Sequence, residues 1–262
     1  MISILGGVAI ATALLGASTA SAATLVGDYE LQGTLASSGP GPALTDVAPG
    51  NSFQADTVIG TQRQVLTFPE GGGLQMNPTG LPAPGQYSEV LTFRLATVSP
   101  DYYRVLDSLA GGGAVDSGLY VRDGRLDFYD QSSSTDSEST SALFTSNTYA
   151  TVAMVMVGFP TGTKAYFNGA PVAQYPGDYN LGSDTLRFFK DNSTEESAGA
   201  VSCIRVYSGA LTDAEVAAIG ASPTCAPPTS PSTPHKKKCK KHKKKRSAEV
   251  AKKKKCKKKK KR

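Results

Sequence analysis

The sequence predicts an all-β sandwich forming a single domain, on three observations. Between Leu25 and Tyr207 the apolar residues fall in short runs of Val, Leu, Phe, Tyr and Thr, many of them alternating, as strands with one buried face require. Clusters of Gly, Pro, Asn and Asp punctuate those runs at intervals suited to sandwich turns. No long helical period competes with this pattern.

The chain opens with Met1 to Ala22, an apolar stretch ending in Ala20-Ser21-Ala22, the small-x-small pattern of a signal-peptidase site. A cleaved export signal is expected over 1–22, with a mature start near Ala23. A membrane anchor is the competing reading, but Gly, Ser and Thr interrupt a segment already short for a span of ~20 apolar residues. The predicted strands follow as 23–32, 52–55, 64–68, 87–96, 102–108, 117–121, 125–129, 149–159, 164–168, 185–190 and 200–207. The long apolar run at 149–159 has no polar face and reads as a central strand. Asp123-Gly124 and Asn168-Gly169 read as tight hairpin turns, because both pairs tolerate the positive φ that type I′ geometry needs. The segment 130–141 lacks strand character and reads as a solvated Ser/Thr/acid loop. A short helix over 213–219 is expected from Thr212 as N-cap with Glu215 three residues on, a reciprocal capping box. Residues 221–234 hold five prolines among Ser and Thr and read as an extended linker, which ends the folded domain, 23–220.

Charge divides the 262-residue chain sharply. From Pro234 to Arg262 there are 19 Lys/Arg against Glu249 alone, a charge of +18, whereas the remainder holds 9 basic and 21 acidic residues, or −12. The tail, 235–262, repeats a Lys-Cys-Lys pattern in which Lys236, Lys237, Lys238, Lys240 and Lys241 are echoed by Lys253, Lys254, Lys255, Lys257 and Lys258. Such dense like charge cannot build a core and is expected to stay extended. It suits an anionic wall polymer or phospholipid surface, where each Lys contributes about 1 kcal/mol. Nucleic acid satisfies the same counterion physics, but export would make such binding adventitious. The bland alternative is a solubilising tail with no dedicated ligand.

The four cysteines allow three pairings. Cys203 in the last predicted strand and Cys225 just past the helix form the favoured one, since that bridge would pin the chain end to the sandwich in an oxidising compartment. Cys239 and Cys256 lie among ammonium groups that favour the reactive thiolate.

Two stretches in order carry a family resemblance. SAGAVSCIRVY at 197–207 followed by ALTDAEV at 210–216 resembles the close of LamG-like jelly-roll domains, and VLTFPEGGG at 65–73, YRVLD at 103–107 and AYFNG at 165–169 agree in order. The resemblance implies a concanavalin-like sandwich of about 10–13 antiparallel strands with one short C-terminal helix. It also implies an extracellular module that binds a carbohydrate, a protein or a surface polymer and is only sometimes fused to catalysis. Fold alone does not fix function.

Chemistry narrows the choice. Both histidines, His235 and His242, lie in the tail, so the domain has no imidazole for a triad. The compact E-x-D-x-x-E strand motif of related glucanases is also missing, and a non-enzymatic domain is expected, with a two-carboxylate glycosidase as the weak alternative. Calcium is the candidate inorganic ligand, with Asp191, Asn192 and Glu195 as its oxygen donors beside Glu196; the competing reading is a solvated loop. There is no Trp, so any sugar platform must come from tyrosines. Tyr175 and Tyr179 flank Pro176-Gly177-Asp178 in a predicted exposed loop, which makes Tyr175, Asp178 and Tyr179 ligand-binding candidates, against ordinary packing of the rings. The expected partners are a glycan or cell-surface polymer for the domain and an anionic surface for the tail, with a secreted, cell-surface location; the alternative is a structural envelope protein whose sandwich only packs against neighbours, without a dedicated small ligand.

Overall fold

A computed structural model describes residues 22–77, 85–108, 117–131, 135–177, 185–191 and 194–228. The export-signal segment, the Lys-rich tail and the candidates Asn192, Asp178 and Tyr179 lie outside the described residues. In chain order the strands are β1 (Thr24–Tyr29), β2 (Thr45–Asp46), β3 (Ser52–Val58), β4 (Thr61–Phe68), β5 (Leu74–Met76), β6 (Tyr87–Leu95), β7 (Tyr102–Ser108) and β8 (Ser117–Arg122). They continue as β9 (Arg125–Asp130), β10 (Thr135–Glu138), β11 (Ala150–Gly158), β12 (Gly162–Phe167), β13 (Ala170–Tyr175), β14 (Leu186–Phe188) and β15 (Gly199–Ser208), with one helix, α1 (Asp213–Ile219). They form two antiparallel sheets. One has the order β13-β12-β11-β6-β15-β4-β3 with β1 also paired to β15, and the other runs β10-β9-β8-β7-β14-β5-β2.

Strand parity sorts the core. In β6, Tyr87, Leu91, Phe93 and Leu95 point between the sheets, as do Val152, Met154 and Met156 of β11. On the opposite faces Val90, Ala153 and Val155 are apolar too, because α1 and the residues flanking it cover them through Leu211, Val216, Ile219 and Cys225. This second layer explains why β11 reads as a run without a polar face. Thr212 caps α1 as expected, its hydroxyl accepting from the Glu215 N–H while the Glu215 carboxylate accepts from the Thr212 N–H. Both expected hairpins form, with φ of 47° and 73° at Asp123-Gly124 and 50° and 86° at Asn168-Gly169. Gly169 also packs so close to α1 that a Cβ there would lie 2.9 Å from the Gly220 Cα.

Three expectations change. The segment read as a linker does not begin at 221: Ser222 and Cys225 are buried, and the compact unit runs to Pro228. Proline content signals the lack of a ladder, but sheet hydroxyls replace the ladder here. The Ser222 carbonyl accepts from Thr92 Oγ1 at 2.6 Å and Thr151 Oγ1 at 3.1 Å, and the Pro223 carbonyl accepts from Ser202 Oγ at 2.7 Å. The Cys203–Cys225 disulfide fastens the same segment to β15. The stretch 130–141 is not wholly loop, since β10 pairs along β9 with Glu138 opposite Asp127. Tyr175 is not in an exposed loop but ends β13, buried, its hydroxyl donating to Asp130 Oδ2.

Glu89 is the anomaly of the core. It lies on β6 opposite Met154 and Val206, both of which belong to the inter-sheet cluster, and it is fully buried. Neither carboxyl oxygen has a hydrogen-bond partner among the described residues, and burial pushes its pKa up to about 8. The folded chain therefore keeps a proton that the unfolded chain releases above its ordinary 4.5. Stability is greatest below that value and falls by about 1.4 kcal/mol per pH unit until the folded group ionises near pH 8.

Two outcomes follow for the fold. Urea unfolding of Glu89→Gln, compared with wild type, should show the variant gaining about 3 kcal/mol of relative stability between pH 5 and pH 7.5; parallel pH profiles would refute a buried neutral Glu89. Cys225→Ala should lower unfolding free energy by about 3 kcal/mol, the value for a loop of this length, and should open 222–228 to limited proteolysis.

A tyrosine and carboxylate cleft as the candidate functional site

The outer face of the seven-stranded sheet is polar and aromatic. Tyr103 and Val105 of β7, Leu119 and Val121 of β8, and Leu126 and Phe128 of β9 fill the core, so the alternate residues Tyr102, Arg104, Tyr120, Arg122, Asp127 and Tyr129 share the other face. The rings of Tyr102, Tyr120 and Tyr129 cluster with centroids 5.5 to 6.3 Å apart. Two guanidinium groups lie on this cluster: Arg104 is 4.0 Å from the Tyr120 centroid and Arg122 is 4.5 Å from that of Tyr102.

Arg104 is fully buried and fixes its surroundings. Its Nε and Nη2 donate to Asp191 Oδ1 at 2.8 and 2.6 Å, its Nη1 donates to the Ser117 carbonyl at 2.9 Å, and its backbone N–H donates to the Glu195 carbonyl at 2.9 Å. Gly118 makes room for the guanidinium, since a Cβ there would lie 2.7 Å from Arg104 Nη1. The segment linking β14 to β15 is thus held against β7. The candidate calcium donors separate in this arrangement. The Asp191 carboxylate is buried against Arg104, Glu195 lies at the rim, and Glu196 accepts from Lys190 Nζ and from the Asp191 N–H. Among the described residues no group of three His, Cys, Asp or Glu side chains is placed to hold a metal ion.

Between that segment and the β6–β7 connection opens a cleft of about 520 Å³. Its walls are set by backbone pairing of Ala96 with Ala198 at 2.7 Å and by the Ser197 hydroxyl, which accepts from the Thr97 N–H at 3.1 Å. Glu70, Asp101, Tyr102, Tyr103, Glu195 and Glu196 line it. Burial, reinforced by Asp136, raises the Tyr102 phenol to about 12 against the pull of Arg122, so the hydroxyl is neutral and able to donate. Burial, with Asp101 and Glu70 adding to it, raises Tyr103 in the same direction. Beyond Tyr102 a second hollow of about 260 Å³ is lined by Arg122, Asp123, Arg125, Glu138 and Ala142.

Arg122 Nη1 gathers three carboxylates: Glu138 at 3.1 Å, Asp136 at 3.3 Å and Asp127 at 3.8 Å. Asp127 is fully buried and its oxygens make no close hydrogen bond among the described residues. Burial, with Asp136 and Glu138 adding to it, raises Asp127 to about 6, although Arg122 and the Ser137 N–H act the other way. Sequence reasoning favoured Tyr175, Asp178 and Tyr179 and passed over Tyr120, Arg104 and Arg122. Part of the signal was present, since Tyr102 and Arg104 alternate on one predicted strand and Tyr120 sits between Leu119 and Val121 on the next.

This two-sheet architecture with a rim cleft is that of a jelly-roll domain, and the comparison with known families agrees. Residues 70–217, more than half of the chain, match the model of the concanavalin A-like lectin/glucanases superfamily, and the chain belongs to that family. Domain 4 of a GH43 extracellular arabinanase from Geobacillus stearothermophilus, in complex with arabinotriose, superposes with a TM-score of 0.57 at 17% identity, covering 74% of this chain and 97% of that one. The binding domain of paraclostridial mosquitocidal protein 1 gives 0.57 at 12% identity, with 74% and 51% covered. A Trypanosoma rangeli sialidase gives 0.52 at 15%, with 74% and 32% covered. Identities this low establish the shared fold. No curated protein sequence matches the chain significantly. Among the described residues no helix is long and apolar enough to cross a membrane.

Removing one partner of the Arg104–Asp191 pair leaves a buried charge uncompensated. Asp191→Ala should therefore destabilise the domain by about 3 to 5 kcal/mol in denaturant unfolding. A loss below 1 kcal/mol would show that the pair does not fix the cleft wall.

Proposed function

We propose that this chain is an exported, non-catalytic binding module that holds a glycan or cell-surface polymer in its rim cleft, while the Lys-rich C-terminal segment retains it on an anionic wall polymer or phospholipid surface. The observation that carries this reading is the open cleft with Tyr102 and Tyr103 at its wall. Neutral phenol rings offer both a packing face for pyranose C–H groups and a polar edge. The structural neighbours support it, since one is a domain bound to arabinotriose and another is a toxin binding domain. The non-catalytic part is supported by where the acids lie. The carboxyls with raised pKa, Glu89 and Asp127, are both buried away from the cleft, and the domain has no histidine.

A glycan array probed with the protein should give discrete retention on soluble polysaccharide that Tyr102→Ala lowers about tenfold, or about 1.4 kcal/mol; an array without any retained glycan overturns the cleft reading. Purified envelopes test the tail separately. Association of the chain from Ala23 should fall steeply between 50 and 200 mM salt, and a chain ending at Pro234 should lose at least tenfold at low salt. Equal binding by the two chains overturns the assignment of anchoring to the tail.

A further inference from the structure

The cleft carries a charge signature that narrows its ligand further. Four of the residues lining it are carboxylic acids, Glu70, Asp101, Glu195 and Glu196, and among the described residues no Lys, Arg or His lines it. Lys190, bonded to Glu196, is a neighbouring cation. Glu70 and Asp101 are exposed at the mouth, where they face any occupant. Tyr102, on the cleft wall, already takes a cation against its ring in the form of Arg122. The Glu70 and Asp101 carboxylates stand on the same side as that ring, at the open end of the cleft. Carboxylates around phenol rings form the arrangement that recognises an ammonium group, by charge pairing at the rim and by attraction to the ring quadrupole. The same field opposes sulfated, phosphorylated or uronic acid chains.

We infer that the cleft selects an amine-bearing glycan, a polymer of free-amine hexosamine units, over its N-acylated and anionic counterparts. This rests on the reading of the cleft as a glycan site. The cavity, about 520 Å³, lies within the size range of small-ligand pockets, about 300 to 1,000 Å³. Each protonated amine would face a carboxylate while the ring packs on Tyr102. A basic peptide presents the same charge without the apolar sugar face, and the tyrosines favour the sugar.

The test is titration calorimetry of the full chain with three probes of equal length: the glucosamine tetramer, the N-acetylglucosamine tetramer and tetralysine. The first should bind at least tenfold more tightly than either of the others, and high salt should remove most of its advantage. Glu70→Gln combined with Asp101→Asn, two exposed positions, should weaken the glucosamine tetramer at least fivefold more than it weakens the N-acetyl tetramer. Equal affinity for the two sugars overturns the amine preference while leaving the glycan reading in place. Tetralysine binding as tightly as the glucosamine tetramer overturns the proposal in favour of a basic peptide. A double variant that binds as wild type overturns the assignment to this cleft. Binding of no probe overturns the inference for this ligand class, and the glycan array then decides separately whether the cleft reading survives.

Discussion

The burial of Arg104 governs how the rim is built. A guanidinium withdrawn from water must have its donors satisfied and its charge balanced, and the chain meets both demands from different directions. Asp191 supplies the countercharge, the Ser117 carbonyl accepts the inward donor, and the Tyr120 ring covers one face. The backbone of the same residue binds Glu195. Lys190, Asp191 and residues 194–198 have no ladder of their own among the described residues, and these contacts take the place of one. The wall that carries Glu195 is therefore referred to a single residue of β7, and Ala96 and Thr97 hold Ala198 and Ser197 beside it. Gly118 belongs to the same constraint, because any side chain there would enter the volume the guanidinium occupies.

From Arg104 the order propagates along the face through stacked rings and charges. Tyr120 contacts Tyr102 edge-on, Tyr102 carries Arg122, and Arg122 collects the carboxylates of β9 and β10. Arg125 answers Glu138 from the other side at 3.1 Å. Exposed pairs of this kind contribute little individually. Their effect is to fix the direction in which Tyr102 presents its ring, and orientation is what a sugar or ammonium ligand reads.

The sandwich itself was largely legible in the sequence because each source of its signal is local. Alternation marks strands, Asp123-Gly124 and Asn168-Gly169 mark turns, and Thr212 with Glu215 marks the start of α1. What escaped is non-local. The short strands β2 and β5 owe their pairing to neighbours rather than to their own propensity, and β10 is a Ser/Thr/acid stretch that becomes a strand because β9 offers it an edge. The 222–226 segment packs because Thr92, Thr151 and Ser202, distant in sequence, point hydroxyls at its carbonyls. For the site the chain announced Glu195 and the rim segment but put Tyr175 in an exposed loop. A tyrosine after a turn and a tyrosine at a strand end look alike until the strand β13 is known. Arg104 was invisible as a site residue since nothing local tells a buried arginine from an exposed one on an outward-facing position.

The distribution of charge bears on how the two parts of the chain can share work. The domain carries −12 and the tail +18, so a polyanion that attracts the tail is repelled by the domain, and a cationic ligand suited to the cleft is repelled by the tail. Two partners of opposite sign can be engaged at once only if they are different molecules. That separation also gives each contact its own dependence on conditions. On the proposed reading, attachment through lysines would weaken with salt alone, since lysine stays protonated across the physiological range. Recognition of an amine by Glu70, Asp101 and Tyr102 would weaken both with salt and with loss of the ligand's own proton. A chain built this way could stay attached to its surface while releasing its glycan as pH rises, and the same change in pH would reach the core through Glu89, whose burial makes the domain less stable in the same direction.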